Sequence, residues 1–261
     1  MTNQPVRFSD GAGYEQMMGI WSRSVGEIFL DWVRPAAGKL WIDVGCGSGA
    51  FSQLIAERCA PASILGIDPS ESQLDFARTR GLGEIIRFEV GDAMALPLDD
   101  HSVDISVAAL VVHFMPDPTK GIAEMKRVTS PGGTVAAYGW DLLNGGFPYE
   151  PLHQAMRELG LPPSEPPSPQ AGDAAELMRL WTEAGLTRID ARDIPVTRSF
   201  SNFEDYWTTA IKAPRIKIAL EATAPDTVPN LKDRVRTNLG ADIDASVTAT
   251  ARANAICGNV A

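Results

Sequence analysis

Three features are scarce in this sequence, and each scarcity narrows the possible functions. Cysteine is one of them: Cys46, Cys59 and Cys257 are the only three among 261 residues. None of them lies in a Cys-x-x-Cys pair, so the sequence predicts neither a zinc site nor a disulfide framework. Free thiols are typical of reducing compartments, and we therefore expect a cytoplasmic protein without a bound metal.

Positive charge and long apolar runs are scarce as well. Lys and Arg number 23 against 33 Asp and Glu, which gives a net charge of −10. Nucleic-acid binding needs clustered cations, so we expect no nucleic-acid partner. No apolar run reaches the roughly 20 residues of a membrane-spanning helix, and Met1–Pro5 lack a signal-peptide pattern. We expect no membrane association, and a chain that is 44% hydrophobic can bury a substantial core.

Glycine, in contrast, is concentrated in one informative stretch. The apolar run Leu40–Val44 stops at Gly45, Gly47 and Gly49, and a helical pattern follows. This order predicts a strand, a tight turn and the start of a helix. Glycine permits positive φ and close approach of the backbone to a ligand, while the helix start offers unpaired N–H groups. The turn, which includes the small side chain of Cys46, is therefore a predicted ligand site.

Carboxylates near this turn indicate which class of ligand would bind there. Gly45-x-Gly47-x-x-Ala50 also satisfies the dinucleotide-binding pattern. However, Asp43 precedes the turn and would repel a pyrophosphate while attracting an ammonium or sulfonium group. Asp68 ends the next predicted strand, where it could accept hydrogen bonds from ribose hydroxyls, and Asp92 follows the third, where an adenine amino group would lie.

These motifs resemble those of the class I S-adenosylmethionine-dependent methyltransferases. The glycine turn is similar to that family's first motif, and the others follow in the family's order over residues 38–141: Gly66-Ile67-Asp68-Pro69-Ser70, Gly91-Asp92-Ala93, Val103-Asp104 with the strand after it, and Pro131-Gly132-Gly133. The resemblance implies S-adenosylmethionine as cofactor and S-adenosylhomocysteine as product. It implies cofactor contacts at Asp43, Gly45, Cys46, Gly47, Gly49, Asp68, Pro69, Asp92, Ala93 and Ala108.

The N-terminal segment is also similar to one that folds over the cofactor in many of these proteins. Tyr14 and Trp21 could then face the sulfonium or the substrate, because aromatic faces attract cations. Ordinary packing is the alternative for each of them. The helix predicted over Ser22–Val33 carries an apolar face that would dock on the sheet.

Local signals predict several element boundaries. Ser70-x-x-Gln73 has the spacing of a capping box, and Asp117 followed by Pro118 is typical of another helix start. The pair Gly132-Gly133 is predicted to end that second helix. Strand patterns then cover Thr134–Tyr138 and Thr187–Val196.

Strand and helix patterns alternate five times after residue 39, which predicts a Rossmann-like three-layer α/β/α sandwich with a mostly parallel sheet. The resemblance adds the strand order 3-2-1-4-5-7-6, with the last strand antiparallel. We expect an N-terminal arm and covering helix over 1–34, a cofactor-binding core over 35–141, an inserted substrate lid over 142–172, and the remainder of the sheet over 173–261. A disordered surface loop is the alternative for the proline-rich insertion.

Catalytic residues are harder to predict, because the cofactor supplies its own leaving group. His113 follows the fourth strand and is a candidate general base, although it could simply bridge the strand end or line the pocket. His153, Tyr149, Trp140 and Asp141 are candidates for the acceptor site. We expect methyl transfer to a small-molecule acceptor by a monomer or homodimer. A non-catalytic cofactor-binding protein and a nicotinamide-dependent oxidoreductase are the alternatives.

Overall fold

The computed structural model describes residues 15–161, 163, 165–212, 216, 220, 226–240, 242 and 245–261. Seven strands are present in these ranges: β1 Leu40–Val44, β2 Ser63–Asp68, β3 Ile86–Val90, β4 Val103–Ala109, β5 Thr129–Trp140, β6 Thr187–Phe200 and β7 Val247–Asn259. The α-helices described are α1 Ile20–Val33, α2 Ala50–Cys59, α3 Glu71–Arg78, α4 Pro118–Val128, α5 Glu150–Glu158, α6 Ala174–Glu183, α7 Phe203–Ala210 and α8 Thr227–Leu239. Tyr14 lies outside the described residues.

All seven strands form one sheet in the order β3-β2-β1-β4-β5-β7-β6, which confirms the predicted order. The first five strands pair in parallel, while β7 runs antiparallel to both β5 and β6. Parallel strands are buried on both faces, which explains why β1 and β2 read as nearly continuous apolar runs. The carboxyl ends of β1 to β5 consequently meet at one edge of the sheet.

Helices cover both faces of the sheet and create two hydrophobic cores. One core joins α1, α2, α5, α7 and α8 to one face, with Phe29, Leu54 and Tyr206 among its buried side chains. The other core joins α4 and α6 to the opposite face through residues such as Met125 and Trp181. This arrangement confirms the predicted three-layer sandwich.

Several element boundaries differ from the predicted ones. A π-helix over Glu15–Gly19 precedes α1, so the helical segment begins before the predicted Ser22. β5 was predicted over Thr134–Tyr138 but begins at Thr129, because Thr129 pairs with Val103 before the chain bulges and re-pairs at Thr134. β6 extends to Phe200 because β7 is long enough to pair with it throughout.

Helix starts follow the predicted capping in one case and depart from it in another. The Asp117 side chain accepts a hydrogen bond from the Lys120 N–H at 3.0 Å, as an N-cap with proline at the next position predicts. A capping box was predicted at Ser70 and Gln73, and α3 does start there. The Ser70 side chain makes no capping bond, however, and its hydroxyl contacts that of Ser72 at 3.0 Å.

The insertion is ordered into short elements rather than one extended loop. It contains a 3-10 turn over Leu142–Asn144, helix α5 and a second 3-10 turn over Pro169–Gly172. Each described helix of the protein is too short or too polar to cross a bilayer.

Candidate functional site

A cavity of about 630 Å³ opens at the carboxyl ends of the parallel strands. Its walls come from the glycine turn after β1, the ends of β2 and β3, the start of α1 and the residues after β4. This is the edge at which ligands bind in open parallel sheets. Among the residues predicted to contact a cofactor, those that line it are Gly45, Cys46, Gly47, Asp68, Pro69, Asp92 and Ala93.

The glycine turn is fastened to β2 by its own backbone. The N–H groups of Gly45 and Cys46 both donate to the Ile67 carbonyl, at 2.7 and 3.0 Å. Gly45, Gly47 and Gly49 all have positive φ, at 71°, 52° and 75°. Glycine adopts this left-handed region without the steric cost that a Cβ brings.

The three glycines nevertheless meet different surroundings. A Cβ on Gly45 would lie 2.4 Å from Val111 Cγ1, and one on Gly49 would lie 2.8 Å from the Phe88 ring. A Cβ on Gly47 would have no heavy atom within 4 Å among the described residues. Gly45 and Gly49 therefore allow close packing, whereas Gly47 keeps space open at the cavity. Gly49 itself does not line the cavity, contrary to the prediction.

Asp68 connects the glycine turn to the end of β2. Its Oδ2 accepts the Gly47 N–H at 3.0 Å and its Oδ1 accepts the Ser70 N–H at 2.9 Å. Burial raises the pKa of Asp68, and the two backbone hydrogen bonds oppose that rise. A carboxylate offers about four acceptor positions, so two remain for ligand hydroxyls.

Asp43 lies beneath the turn and not in the cavity wall. It is fully buried, and its Oδ2 accepts the Ser52 hydroxyl at 2.6 Å. Its Oδ1 has no partner among the described residues. Burial raises the pKa of Asp43 to about 7, against the opposing hydrogen bond from Ser52. The predicted attraction of Asp43 for a cationic ligand would therefore act through the turn, without direct contact.

The far end of the cavity is formed by the loop after β3. Asp92 and Ala93 line it, and the Met94 N–H donates to Asp92 Oδ1 at 2.9 Å. The Ala95 N–H donates to the Asp92 carbonyl at 3.0 Å and closes the turn. Asp92 is exposed, so its second carboxylate oxygen remains accessible to a ligand.

Two further residues predicted to contact the cofactor lie outside the cavity wall. Trp21 is 1% exposed, and its Nε1 donates to the Tyr149 hydroxyl at 3.3 Å. It has the packing role that we considered as the alternative. Ala108 is buried in the core on the α4 side of the sheet, while its neighbour Ala109 lines the cavity.

His113 is also placed differently from the prediction. It lies in a 3-10 turn over Val112–Phe114, and its ring is 3% exposed and outside the cavity wall. Its Nδ1 has no partner among the described residues, and burial lowers the pKa of His113 to about 4. The ring is therefore neutral, but it does not face the cavity as a general base must. The backbone does bridge the strand end, since the His113 carbonyl accepts the Ser168 N–H at 3.1 Å.

The residues predicted for the acceptor site also lie outside the cavity wall. Trp140, Asp141, Tyr149 and His153 do not line the cavity, whereas Pro167 of the insertion does. His153 stacks on Phe147 with ring centroids 4.6 Å apart, and burial lowers its pKa to about 4.

Sequence reasoning missed several residues of the wall. Arg80 follows α3 and donates from Nε to the Ser48 carbonyl at 2.5 Å and from Nη1 to Gln53 at 2.8 Å, so it supports the glycine turn from the end of that helix. Leu110 follows β4 with a φ of 61°, and its N–H donates to the Tyr138 carbonyl at 2.8 Å. Neither position carries a sequence signal, because both roles depend on contacts between distant segments.

The described wall is poor in groups that could remove a proton. Its ionisable residues are Arg23, Cys46, Asp68, Arg80, Asp92 and Tyr138. Burial raises the pKa of the Cys46 thiol well above its ordinary value, so the thiol is neutral. Towards β4 and β5 the wall is apolar or aromatic, and it includes Phe51, Leu110, Phe114, Met115 and Tyr138. The site can thus hold a polyhydroxylated, nitrogen-rich ligand beside an apolar compartment.

Comparison with known proteins agrees with this geometry. Residues 42–137 match the family model described as a methyltransferase domain. Over 128 residues the chain is 35% identical to malonyl-[acyl-carrier protein] O-methyltransferase of Serratia marcescens, covering 49% of this chain and 49% of that protein. The chain spans about half the length of the curated relatives it matches, or less.

Solved structures match over more of the chain at lower identity. Phosphoethanolamine N-methyltransferase 2 of Haemonchus contortus, in complex with S-adenosylhomocysteine, aligns with a TM-score of 0.60 and 16% identity over 95% of this chain and 56% of that one. Geranyl diphosphate C-methyltransferase of Streptomyces coelicolor aligns with a TM-score of 0.53 and 16% identity, over 90% of this chain and 75% of that one. At such identities these likenesses show the shared fold.

Proposed function

We propose that the protein is a class I S-adenosylmethionine-dependent methyltransferase that transfers a methyl group to a small-molecule acceptor, and the premise is the match of residues 42–137 to a methyltransferase domain. One observation carries the proposal. The three sequence motifs of the glycine turn, Asp68 and Asp92 meet in a single cavity, with Asp68 hydrogen-bonded to Gly47.

The residues present fit the cofactor. Gly47 leaves room for a ligand against the backbone, and the turn precedes the N-terminus of α2, so the turn would hold the methionine portion. Asp68 retains acceptor positions for the two ribose hydroxyls. Asp92 and Ala93 would hold the adenine at the other end. Pro69 contributes to the wall between the ribose and adenine positions.

When bound, S-adenosylmethionine supplies a methyl group that its positively charged sulfur makes electrophilic. The contribution of this chain is to hold and align the reactants, which lowers the entropic part of the barrier. The apolar residues near β4 and β5 exclude water from the reacting atoms. His113 does not take part directly, because its ring lies behind the cavity wall. The in-line displacement is therefore driven mainly by positioning.

A small-molecule acceptor is supported by the largely apolar compartment beside the cofactor residues and by the net charge of −10, which disfavours nucleic acids. Relatives differ in their acceptors, since one is named for malonyl-[acyl-carrier protein] and another, from Deinococcus radiodurans, for demethylmenaquinone. We further propose that the insertion over 142–172 helps to shape the acceptor compartment, to which it contributes Pro167.

The proposal is tested by incubating the purified protein with S-adenosylmethionine labelled in its methyl group and a fractionated metabolite extract. We expect the label to appear in a low-molecular-mass product and S-adenosylhomocysteine to accumulate in equal amount. Tight cofactor binding without any transfer would favour the non-catalytic alternative. Label transfer to protein or nucleic acid alone would contradict the small-molecule acceptor.

A further inference from the structure

The N-terminal segment forms one wall of the cavity, and hydrogen bonds from residues outside the cavity hold this wall in position. Gly19, Ile20, Ser22 and Arg23 line the cavity at the junction of the π-helix and α1. π-Helical turns are rare and are found mostly at functional sites. The junction Gly19–Arg23 is called the N-terminal wall below.

The N-terminal wall is held by Tyr149, which lies 132 positions after its hydrogen-bond partner Met17. Tyr149 lies at the start of α5 in the insertion, and its ring is fully buried. Its hydroxyl donates to the Met17 carbonyl at 2.8 Å and accepts the Trp21 Nε1–H at 3.3 Å. Met17 precedes the N-terminal wall, and Trp21 lies within it. Arg198 of β6 donates to the same Met17 carbonyl at 3.2 Å.

We propose that Tyr149 is a positioning residue for cofactor binding, because its hydroxyl fixes the N-terminal wall against the cavity from behind. The inference rests on the proposed function. It assigns a role in cofactor binding to a side chain that does not touch the cavity. Arg198 has the same role at the Met17 carbonyl.

The position of the wall indicates which part of the cofactor it affects. Arg23 pairs with Glu57 of α2 at 2.9 Å, and a Cβ on Gly26 would lie 2.8 Å from Leu54 of α2. Leu54 lies in the middle of α2 and lines the cavity together with Ala50 and Phe51 at the start of that helix. Because α2 begins directly after the glycine turn, the N-terminal wall lies on the glycine-turn side of the cavity, where the methionine end of the cofactor would bind, whereas Asp92 marks the adenine end.

Because the N-terminal wall adjoins only the methionine end, two ligands that differ at that end distinguish a displaced wall from a general loss of stability. We expect Tyr149→Phe to weaken S-adenosylhomocysteine binding by roughly 3- to 10-fold, the effect of losing one hydrogen bond. Adenosine lacks the amino-acid portion, so its affinity should change by less than about twofold. Calorimetric titration of both ligands into the full-length variant gives the two affinities. The ratio of the S-adenosylhomocysteine affinity to the adenosine affinity then shows whether the N-terminal wall is still held in position.

Tyr206 offers a matched control in the same aromatic cluster. Its ring centroid lies 5.7 Å from that of Tyr149, and its buried hydroxyl has no partner among the described residues. Tyr206→Phe should therefore leave both affinities unchanged. If Tyr149→Phe does not fold, Arg198→Leu tests the same Met17 carbonyl from the other side and should lower the ratio in the same direction.

The possible outcomes separate the inference from the proposed function. A lowered ratio in Tyr149→Phe or Arg198→Leu, with Tyr206→Phe unchanged, supports the role of the hydroxyl. Equal ratios in the wild type and these variants overturn it while leaving the proposed function intact. Failure of the wild-type protein to bind S-adenosylhomocysteine overturns both.

Discussion

Gly45 and Gly47 lie two positions apart in the same turn but differ in what a side chain would meet. A Cβ on Gly45 would overlap Val111, whereas one on Gly47 would enter open space at the cavity. The first glycine therefore contributes to packing and the second to ligand access. A sequence motif alone does not separate these two roles, because both residues have positive φ.

Paired alanine substitutions test this difference. Gly45→Ala combines left-handed strain with overpacking and should destabilise the protein by about 2–4 kcal/mol. Gly47→Ala carries the strain alone, about 1–2 kcal/mol, but places a methyl group where the ligand would approach. We expect the larger loss of thermal stability in Gly45→Ala and, at a temperature at which both are folded, the weaker S-adenosylmethionine binding in Gly47→Ala. The reverse order in both measurements would contradict the assignment.

The place of a residue directly after a strand predicted its position at the cavity better than its residue type did. Asp68 and Asp92 were predicted from their places after strands, and both line the cavity because the carboxyl ends of parallel strands meet at one edge. Trp21 and His113 were predicted from residue type in a promising segment, and both are buried and lie outside the cavity wall. The direction of a side chain on a helix or short turn depends on tertiary packing, which the sequence pattern did not show.

At the scale of elements, a half-exposed ion pair at the boundary between β5 and the insertion helps to hold the insertion against the sheet. Arg252 of β7 donates from Nε and Nη2 to Asp141 Oδ2, and the Asp141 carboxylate is only 4% exposed. The Asp141 N–H also donates to the Arg252 carbonyl at 3.0 Å. The start of the insertion is therefore fixed to the centre of β7 by both backbone and side chain.

Removing this pair should cost stability. We expect Arg252→Ala to lower the free energy of unfolding by about 1–2 kcal/mol, since it leaves a buried carboxylate short of a partner, although the exposure of Arg252 reduces the effect. Arg179→Ala is the control, because among the described residues the exposed Arg179 pairs with neighbours on its own helix, Glu176 and Glu183. Urea denaturation should show the smaller change for Arg179→Ala. Equal changes would mean that the Asp141 pair adds nothing to the insertion's attachment.

Element boundaries were less predictable than element types. The early start of β5 depends on a bulge in which Gly132 takes a φ of 78° and a Cβ on Gly133 would lie 2.5 Å from the Asp104 carbonyl. The two glycines were predicted to stop α4, which they follow, but their second role requires the neighbouring strand. The long β6 depends in the same way on its partner β7.

For the whole molecule, the parallel sheet followed from alternating patterns, and its strand order followed from the family resemblance. The sheet order was confirmed, and the cavity that contains the predicted cofactor residues lies at the carboxyl edge of the parallel strands. The domain limits at 34, 141 and 172, the monomer or homodimer state and the cytoplasmic location stay predictions. Folding of the N-terminal arm over residues 1–14 lies outside the described residues.

Stability of the whole molecule should depend on pH through its buried histidine. Burial lowers the pKa of His113 from 6.5 to about 4, so the unfolded state binds more protons between these pH values. The contribution of His113 is complete above pH 6.5 and is lost as pH falls, by up to about 1.4 kcal/mol per pH unit. Asp43, whose pKa burial raises to about 7, has the opposite dependence, because its contribution is lost as pH rises through 7.

His113→Gln isolates the contribution of His113, since Asp43 and His153, whose pKa burial also lowers to about 4, are unchanged in the variant. We expect the stability of the variant relative to the wild type to increase by up to about 1.4 kcal/mol per pH unit as pH falls from 6 to 5. Urea denaturation at several pH values gives the two curves, and parallel curves would show that His113 is not held neutral by burial. Turnover of the variant should keep its pH dependence, because the ring does not face the cavity.

The central claim is that the cavity at the strand edge binds S-adenosylmethionine with its ribose at Asp68, and calorimetric titration tests it most directly. We expect S-adenosylmethionine to bind at one site while a nicotinamide dinucleotide does not bind. Asp68→Ala should weaken S-adenosylmethionine binding by about 1.5–3 kcal/mol, the scale of a hydrogen bond to a charged group, while Asp75→Ala on the exposed face of α3 leaves it unchanged. Unchanged affinity in Asp68→Ala, or binding of the dinucleotide in place of S-adenosylmethionine, would contradict the account.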